Sequence, residues 1–230
     1  MKSKNFKGIK NIVVLAAMVV CWRTALAQTS TSAMTEVDRE TLYSARLEDR
    51  AADMLKALGL TNAAAAGKVH DLIITQYRVM RARDALIDAQ LKAMGQEINF
   101  TNRAAKLADE SKQLHDYFFG KLAGLLTPEQ VEKIKDKLTY DKAKITADAY
   151  TAIVPGLTET EKAKVLEWLK AAREEAVDGG SAPEKSAIFQ KYKDQINAYL
   201  NANGHDVAKA YQDWEAKQAA AKTNAEPAQK

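Results

Sequence analysis

Apolar residues recur every three or four positions along most of the chain, a spacing typical of amphipathic α-helices. One such stripe runs from Val69 through Ile73 to Leu91. It predicts one long helix near residues 62–94, which Gly95 ends. Because no window shows sustained alternation of apolar and polar residues, we predict an all-α fold. We expect a helical bundle of about seven to eight helices.

Helix starts are marked most clearly between Leu125 and Leu200. Three segments place a hydroxyl at the N-cap position and Gln or Glu three residues later: Thr127-Pro128-Glu129-Gln130, Thr158-Glu159-Thr160-Glu161 and Ser181-Ala182-Pro183-Glu184. The hydroxyl can accept a hydrogen bond from the first turn, and the Gln or Glu can bond back to the cap. Each segment therefore predicts a helix that begins with a capping box.

The N-terminal residues are typical of an export signal. A basic segment, an apolar run and a small-residue site follow one another: Lys2 to Lys10, Ile12 to Trp22 and Ala25-Leu26-Ala27. The apolar run is too short to span a membrane as a helix. We therefore predict a signal peptide over residues 1–27, a periplasmic or secreted location, and no transmembrane segment after cleavage.

Cleavage changes the charge and removes the only cysteine. The signal takes away five of the 34 basic residues and none of the 30 acidic residues, so the mature chain is close to neutral. The basic charge of the full chain therefore does not indicate nucleic-acid binding. Without Cys21, the mature chain can form neither a disulfide nor a thiolate metal site.

The remaining residues divide by composition. Small polar residues over 28–34 predict a flexible leader, and residues 35–218 predict a single all-helical domain. Two subdomains that meet near residue 125 are an alternative. Residues 219–230, rich in Ala, Lys and Gln, predict a disordered tail.

Three charged residues fall on predicted apolar stripes, namely Asp84, Arg173 and Lys193. Burying a charge alone is costly, so each needs a partner. An internal ion pair is one interpretation. The other is that Arg173 and Lys193 open onto a cleft and hold an acidic or polyhydroxyl ligand.

Aromatic residues concentrate after residue 139, and rings with a polar edge suit both sugar binding and protein interfaces. Core packing at helical spacing is the alternative interpretation. The candidate ligand-binding residues are Tyr140, Trp168, Arg173, Tyr192 and Lys193. The three histidines, His70, His115 and His205, lie on separate elements without the clustering of a zinc site. We expect no metal, no cofactor and no catalytic residue.

Several long runs carry a resemblance to a known family. They are Leu126 to Tyr140, Pro155 to Thr158, Leu166 to Ser181, Glu184-Lys185, Phe189 to Lys193 and Ile196 to Leu200. These runs resemble a secreted bacterial domain of unknown function that is described as a candidate sugar-binding domain of polysaccharide-degrading bacteria. The resemblance implies an all-helical fold and a carbohydrate ligand. The sequence departs at Asp141, where the family has Gly after the Thr-Tyr pair.

Three functions follow as hypotheses. The first is an exported binding module for a carbohydrate or another small polar ligand. The second is a periplasmic chaperone-like or scaffold protein with a protein partner, since Leu126 to Gln130 matches the Leu-Thr-x-x-Gln signature of small helical stress chaperones. The third, a hydrolase, requires two carboxylates facing each other in a cleft.

Overall fold

The computed structural model describes the backbone of residues 35–225 and the side chains of that range except those of residues 100, 104, 107–110 and 222–225. The helices are α1 (Glu36–Leu58), α2 (Ala63–Ala93), α3 (Phe100–Ala123), α4 (Pro128–Leu138), α5 (Lys142–Ile153), α6 (Glu159–Ala176), α7 (Ala182–Ala202) and α8 (Val207–Ala225). The described part holds these eight helices and no strand, which confirms the all-α prediction. The long helix is α2. The predicted signal peptide and leader lie outside the described residues.

All three predicted capping boxes form. At the start of α4, Gln130 N–H donates to Thr127 Oγ1 at 3.3 Å, and Thr127 N–H donates back to Gln130 Oε1 at 3.0 Å. The same reciprocal bonds begin α6 and α7. Each box satisfies two backbone N–H groups that the first turn cannot pair internally. None of the helices in the described range is long and apolar enough to cross a membrane.

The helical backbone is interrupted between α4 and α5. Tyr140 and Asp141 have φ angles of 60° and 55°, in the left-handed region that glycine adopts most easily. Aspartate is among the side chains that tolerate this conformation, and Lys137 Nζ donates to Asp141 Oδ2 at 3.1 Å. The turn is therefore formed by two residues other than glycine.

Two hydrophobic cores divide the molecule. Buried side chains of α1 to α4, with Val177 from the end of α6, form the first, including Leu47, Ile73, Phe118, Leu122 and Ile134. Buried side chains of α5 to α7 form the second, including Val165, Leu169, Phe189, Ile196 and Leu200. Because α4 packs against α1 and α3, the change from one core to the other falls between Leu138 and Ala143 rather than near residue 125.

The last helix packs across α5 and α7. It begins after Asp206, whose carboxylate accepts from the Lys209 N–H at 2.9 Å and caps the first turn. It continues to Ala225, past Gln218, where the sequence analysis placed the end of the domain. Alanine and lysine are good helix formers, and residues 216–222 consist of these two with one Gln. Residues 226–230 of the predicted tail lie outside the described range.

Candidate functional site

A groove of about 710 Å³ lies between α5, α7 and α8. Ile145, Ile153 and Val154 give it an apolar side. Its polar lining consists of Thr146, Gln190, Lys193, Asn197, Asn201 and Gln212, together with the rings of Tyr150 and Tyr211. Among the described residues that line it, none is Asp or Glu. Small-molecule sites in proteins occupy roughly 300–1,000 Å³ and combine an apolar wall with a few polar groups, as this groove does.

Buried Tyr150 fixes the orientation of an amide in this groove. Its hydroxyl donates to Asn197 Oδ1 at 2.7 Å and lies 3.3 Å from the carbonyl oxygen of Lys193. Burial raises the pKa of Tyr150 to about 12, and the nearby Asp194 carboxylate adds to the effect. The hydroxyl therefore stays protonated at neutral pH and donates. Because its oxygen is turned toward Tyr150, Asn197 presents its two N–H groups on the opposite side of the amide.

Those N–H groups face solvent. Among the described residues that are not exposed, every side-chain nitrogen or oxygen without access to solvent has a hydrogen-bond partner. Asn197 is half-buried and its Nδ2 has no partner among the described residues, so this atom is accessible. Because Asn197 lines the groove, we place its donors there.

Asn201 lies one helical turn further along α7 and, like Asn197, has a side-chain oxygen that accepts from a protein group. Its Oδ1 accepts from the backbone N–H of Val207 at 3.1 Å. Since Val207 is the first residue of α8, this bond ties one wall of the groove to α7. The Nδ2 donors of Asn201 have no partner within the described part of the chain.

Lys193 completes a row along α7. Lys193, Asn197 and Asn201 are four residues apart, so they lie on one face of the helix. The ammonium of Lys193 forms no ion pair or hydrogen bond with any described residue. The neighbouring Lys191 differs, because its Nζ lies 3.2 Å from Glu175 Oε2. The groove therefore holds a cation and two amide NH₂ groups that have no hydrogen-bond partner among the described residues.

Of the five predicted ligand-binding residues, Lys193 is the one that lines this groove. Trp168 and Tyr192 lie along the seam between α6 and α7. The Trp168 ring packs edge-on against Tyr199, with ring centres 5.3 Å apart, and the Tyr192 hydroxyl donates to Glu175 Oε2 at 3.1 Å. Both side chains are half-buried, and both pack against the second core.

Arg173 lies on the face of α6 that meets α4, and only 4% of its surface is exposed. Its guanidinium donates to Asp136 Oδ1 at 2.6 Å, to Glu174 Oε1 at 2.7 Å and to a carboxylate oxygen of Glu132. Burial alone would lower the pKa of Arg173, but hydrogen bonds to these carboxylates raise it above its ordinary value. The cation is therefore engaged by protein groups.

Tyr140 lines a second groove, of about 380 Å³, between α1, α2 and the break after α4. The guanidinium carbon of Arg50 lies 5.3 Å from the centre of the Tyr77 ring and 5.9 Å from that of Tyr140. Aspartates and a lysine line this groove as well, so it carries both signs of charge. The five predicted residues thus do not share one cavity in the described structure, and their joint role in binding stays a prediction.

A second polar cluster, here called the junction, lies where the loop between α6 and α7 meets α2 and α3. It consists of Arg83, Asp84, Arg103, His115, Asp178, Glu184 and Lys185. Arg83 donates to Asp84 Oδ1 at 2.9 Å and to the Asp178 carbonyl oxygen at 3.0 Å. Lys185 Nζ donates to the Leu138 carbonyl oxygen at 2.8 Å, and burial lowers its pKa to about 8.

The remaining junction residues are paired as well. Arg103 donates to Glu184 Oε1 at 2.9 Å, and Glu184 Oε2 accepts from the Gly180 N–H at 2.9 Å. His115 Nδ1 lies 3.0 Å from Asp178 Oδ2. Because each charged group has a partner from another element or from its own turn, the junction links the two cores and leaves no group free for a ligand.

Sequence reasoning missed Tyr150, Asn197 and Asn201 as a polar set. A signal for the two asparagines was available, since the four-residue spacing of Lys193, Asn197 and Asn201 puts three polar residues on one face of a helix. No local pattern could have joined Tyr150 to them, because it lies two helices earlier in the chain.

Comparison with known proteins gives a family but no activity. A family described as "Protein of unknown function (DUF3826)" matches residues 44–220, which is more than half of the chain. None of the curated proteins matches the sequence. The match confirms the resemblance to a family of unknown function, whereas sugar binding and secretion stay predictions.

Proposed function

Because the chain belongs to the DUF3826 family, whose description assigns no activity, we propose a function from the groove itself. We propose that the protein is an exported, all-helical binding module that holds a carbohydrate or another small polar ligand between α5, α7 and α8. The observation that carries this proposal is the lining, which sets an apolar wall beside accessible amide and ammonium donors.

The lining suits the two kinds of surface on a sugar ring. Apolar residues such as Ile145 and the exposed ring of Tyr211 can cover its C–H faces, and the amides of α7 can bond its oxygens. The Tyr211 ring lies beside Trp214, with ring centres 6.2 Å apart, and this contact supports its position in the wall. Export is supported by the signal-peptide pattern of residues 1–27.

A binding module is better supported than a hydrolase. A glycosidase needs a pair of carboxylates on either side of the scissile bond, and no Asp or Glu of the described part of the chain lines the groove. The chaperone-like alternative rested on Leu126 to Gln130. There the capping box of Thr127 and Gln130 accounts for the Thr and the Gln, so that motif adds no separate support.

Isothermal titration calorimetry of the purified full chain against a panel of neutral and acidic oligosaccharides tests the proposal. We expect saturable heat with at least one class of sugar, and loss of that heat in Asn197→Ala. No binding heat with any of the sugars, from a protein with an intact helical circular-dichroism spectrum, would overturn it. If the protein also suppressed aggregation of a client protein at stoichiometric amounts, the chaperone-like alternative would be favoured. Cell fractionation with N-terminal sequencing tests export, for which Gln28 is the expected first residue.

A further inference from the structure

We infer that the ligand of this groove is an anionic sugar, whose charged group is bound by Lys193 and by the side-chain N–H groups of Asn197 and Asn201. This inference rests on the proposed function and narrows it to a ligand class. It commits to a negatively charged oxygen group on a sugar ring. A carboxylate and a sulfate ester share that chemistry.

The first argument is the balance of donors and acceptors. Asn197 Oδ1 is occupied by the Tyr150 hydroxyl at 2.7 Å, and Asn201 Oδ1 is occupied by the Val207 N–H at 3.1 Å. An amide oxygen that accepts from a protein donor is turned toward that donor, so the N–H groups are the side of the amide that a ligand meets first. The ammonium of Lys193 likewise has three donors and no acceptor. Lys193, Asn197 and Asn201 therefore favour acceptor atoms from whatever they bind, whereas Gln190, whose Nε2 donates to Asp194, keeps its oxygen as an acceptor in the same lining.

The second argument is charge. The groove is lined by one cation and no carboxylate, and the cation has no partner among the described residues. The Asp194 carboxylate, next to Lys193 in the sequence, is exposed, does not line the groove, and accepts from Gln190 Nε2 at 2.8 Å. Charge-assisted hydrogen bonds are about twice as strong as neutral ones. An anion therefore gains more from this row of donors than a hydroxyl would.

The third argument is that the rest of the groove suits a sugar. The side chain of Gln212 has no hydrogen bond to any other described residue, and its amide can both donate to and accept from hydroxyl groups. The Tyr211 ring and the apolar side of α5 provide surface for C–H faces. A bare inorganic anion would leave these surfaces unused, whereas an acidic sugar uses both parts of the lining.

Tyr150 is a positioning residue in this arrangement. Its hydroxyl keeps the Asn197 oxygen turned inward, so that the N–H groups face the ligand. In Tyr150→Phe the amide is free to rotate and to present its oxygen. We expect this variant to lose part of the preference for an anion while it still binds the neutral counterpart. A merely structural role would weaken binding of both sugars alike.

The test is calorimetry of the full chain with tetragalacturonate and with its methyl ester, which removes the charge and keeps the sugar backbone. We expect the acid to bind about tenfold more tightly than the ester, the difference for one charge-assisted contact. Lys193→Gln should abolish this preference and Lys193→Arg should retain it. Lys191→Gln is the matched control, because Lys191 lies two residues away, is exposed and pairs with Glu175. It should leave the preference unchanged.

A second pair of probes separates the two sources of charge. Sulfated and desulfated chondroitin tetrasaccharides both carry uronate, so tighter binding of the sulfated form would identify a sulfate ester as the preferred group. Equal binding of tetragalacturonate and its methyl ester, together with equal binding of the sulfated and desulfated chondroitins, overturns the inference and leaves the proposed function standing. An anion preference that survives in Lys193→Gln also overturns it. Absence of binding to any sugar, charged or neutral, overturns the proposed function itself.

Discussion

Helix α7 uses its polar residues in two different ways along its length. Near its start, Glu184 and Lys185 are buried in the junction, and both are bonded to groups of other elements. Two to four turns later, Lys193, Asn197 and Asn201 line the groove with donors that no described residue accepts. The same helix thus joins two cores at one end and presents open donors at the other.

The difference shows how polar residues that stabilise the fold can be separated from those available to a ligand. A polar group that is buried without a partner costs several kcal/mol, so buried groups are nearly always paired. The junction follows this rule. In the groove the donors remain accessible, so leaving them unpaired costs little in the free protein. The feature that points to a ligand is an accessible amide N–H group whose neighbouring oxygen already accepts a hydrogen bond from the protein.

The largest expected effect concerns Arg173, which bridges α6 and α4 between the two cores. Arg173→Met removes the buried cation that Glu132, Asp136 and Glu174 share. Those carboxylates then repel one another, and we expect the free energy of unfolding to fall by about 3 kcal/mol. Urea denaturation measures it. Arg39→Met is the control, since Arg39 is exposed and pairs with Glu36 within one turn, and it should cost less than about 0.5 kcal/mol. Similar losses in both variants would contradict the structural role of Arg173.

The second prediction concerns the buried amine of the junction. Burial lowers the pKa of Lys185 to about 8 in the folded protein, whereas an unfolded lysine titrates near 10.5. Below pH 8 the folded state holds the ammonium at a cost, and between these two values the unfolded state binds more protons. The contribution of Lys185 to the free energy of unfolding therefore rises with pH across this window, by up to about 3 kcal/mol.

Lys185→Met removes that contribution, so the measurement is the difference between wild type and variant in urea denaturation at several pH values from 7 to about 10. We expect the wild type to gain stability relative to the variant as the pH rises. Lysines paired on the surface cancel in this difference because both proteins contain them. Parallel stability curves would show that Lys185 is not desolvated and would weaken the contrast with Lys193.

The part of this contrast that could be predicted from sequence is its local part. The capping boxes at Thr127, Thr158 and Ser181 depend on residues three apart, so the helix starts could be predicted. The apolar stripes likewise gave the long helix α2. The alternative of two subdomains put their meeting point near residue 125, whereas the position of the change between the cores depends on packing of α4 onto α1, which has no local signature.

Tertiary contacts decide whether a charge on an apolar stripe pairs within the protein or opens onto the groove. Periodicity placed Asp84, Arg173 and Lys193 on apolar faces, but it could not tell what each one faces. Asp84 pairs with Arg83, Arg173 meets carboxylates of α4 and its own helix, and Lys193 opens onto the groove. Three similar signals in the sequence thus correspond to two structural roles and one candidate binding role.

A smaller effect is expected from the loop that forms the junction. A Cβ added at Gly180 would lie 1.6 Å from Asp84 Oδ2, and Arg83 holds that carboxylate in place. We expect Gly180→Ala to lower the free energy of unfolding by about 1–2 kcal/mol, measured by urea denaturation. Gly67→Ala is the matched control, because Gly67 lies within α2 and its Cβ would meet nothing within 4 Å. There we expect a gain of about 0.5–1 kcal/mol from helix propensity. A loss at Gly67 or a gain at Gly180 would contradict this account of the junction.

The smallest expected effect is at Lys193 in the groove, and it tests the comparison most directly. Since its ammonium has no partner in the described part of the chain, Lys193→Gln should change the free energy of unfolding by less than about 0.5 kcal/mol. Lys135→Gln is the control, because Lys135 Nζ is only partly exposed and lies 2.7 Å from Glu174 and 3.0 Å from Glu132. It should cost about 1 kcal/mol. Urea denaturation of both variants at neutral pH gives the two values. A loss at Lys193 equal to that at Lys135 would mean that Lys193 stabilises the fold as the junction residues do, and the groove would then lose its free cation. A stable Lys193→Gln protein is also what the binding experiments need, because its loss of anion preference can then be assigned to the ligand contact.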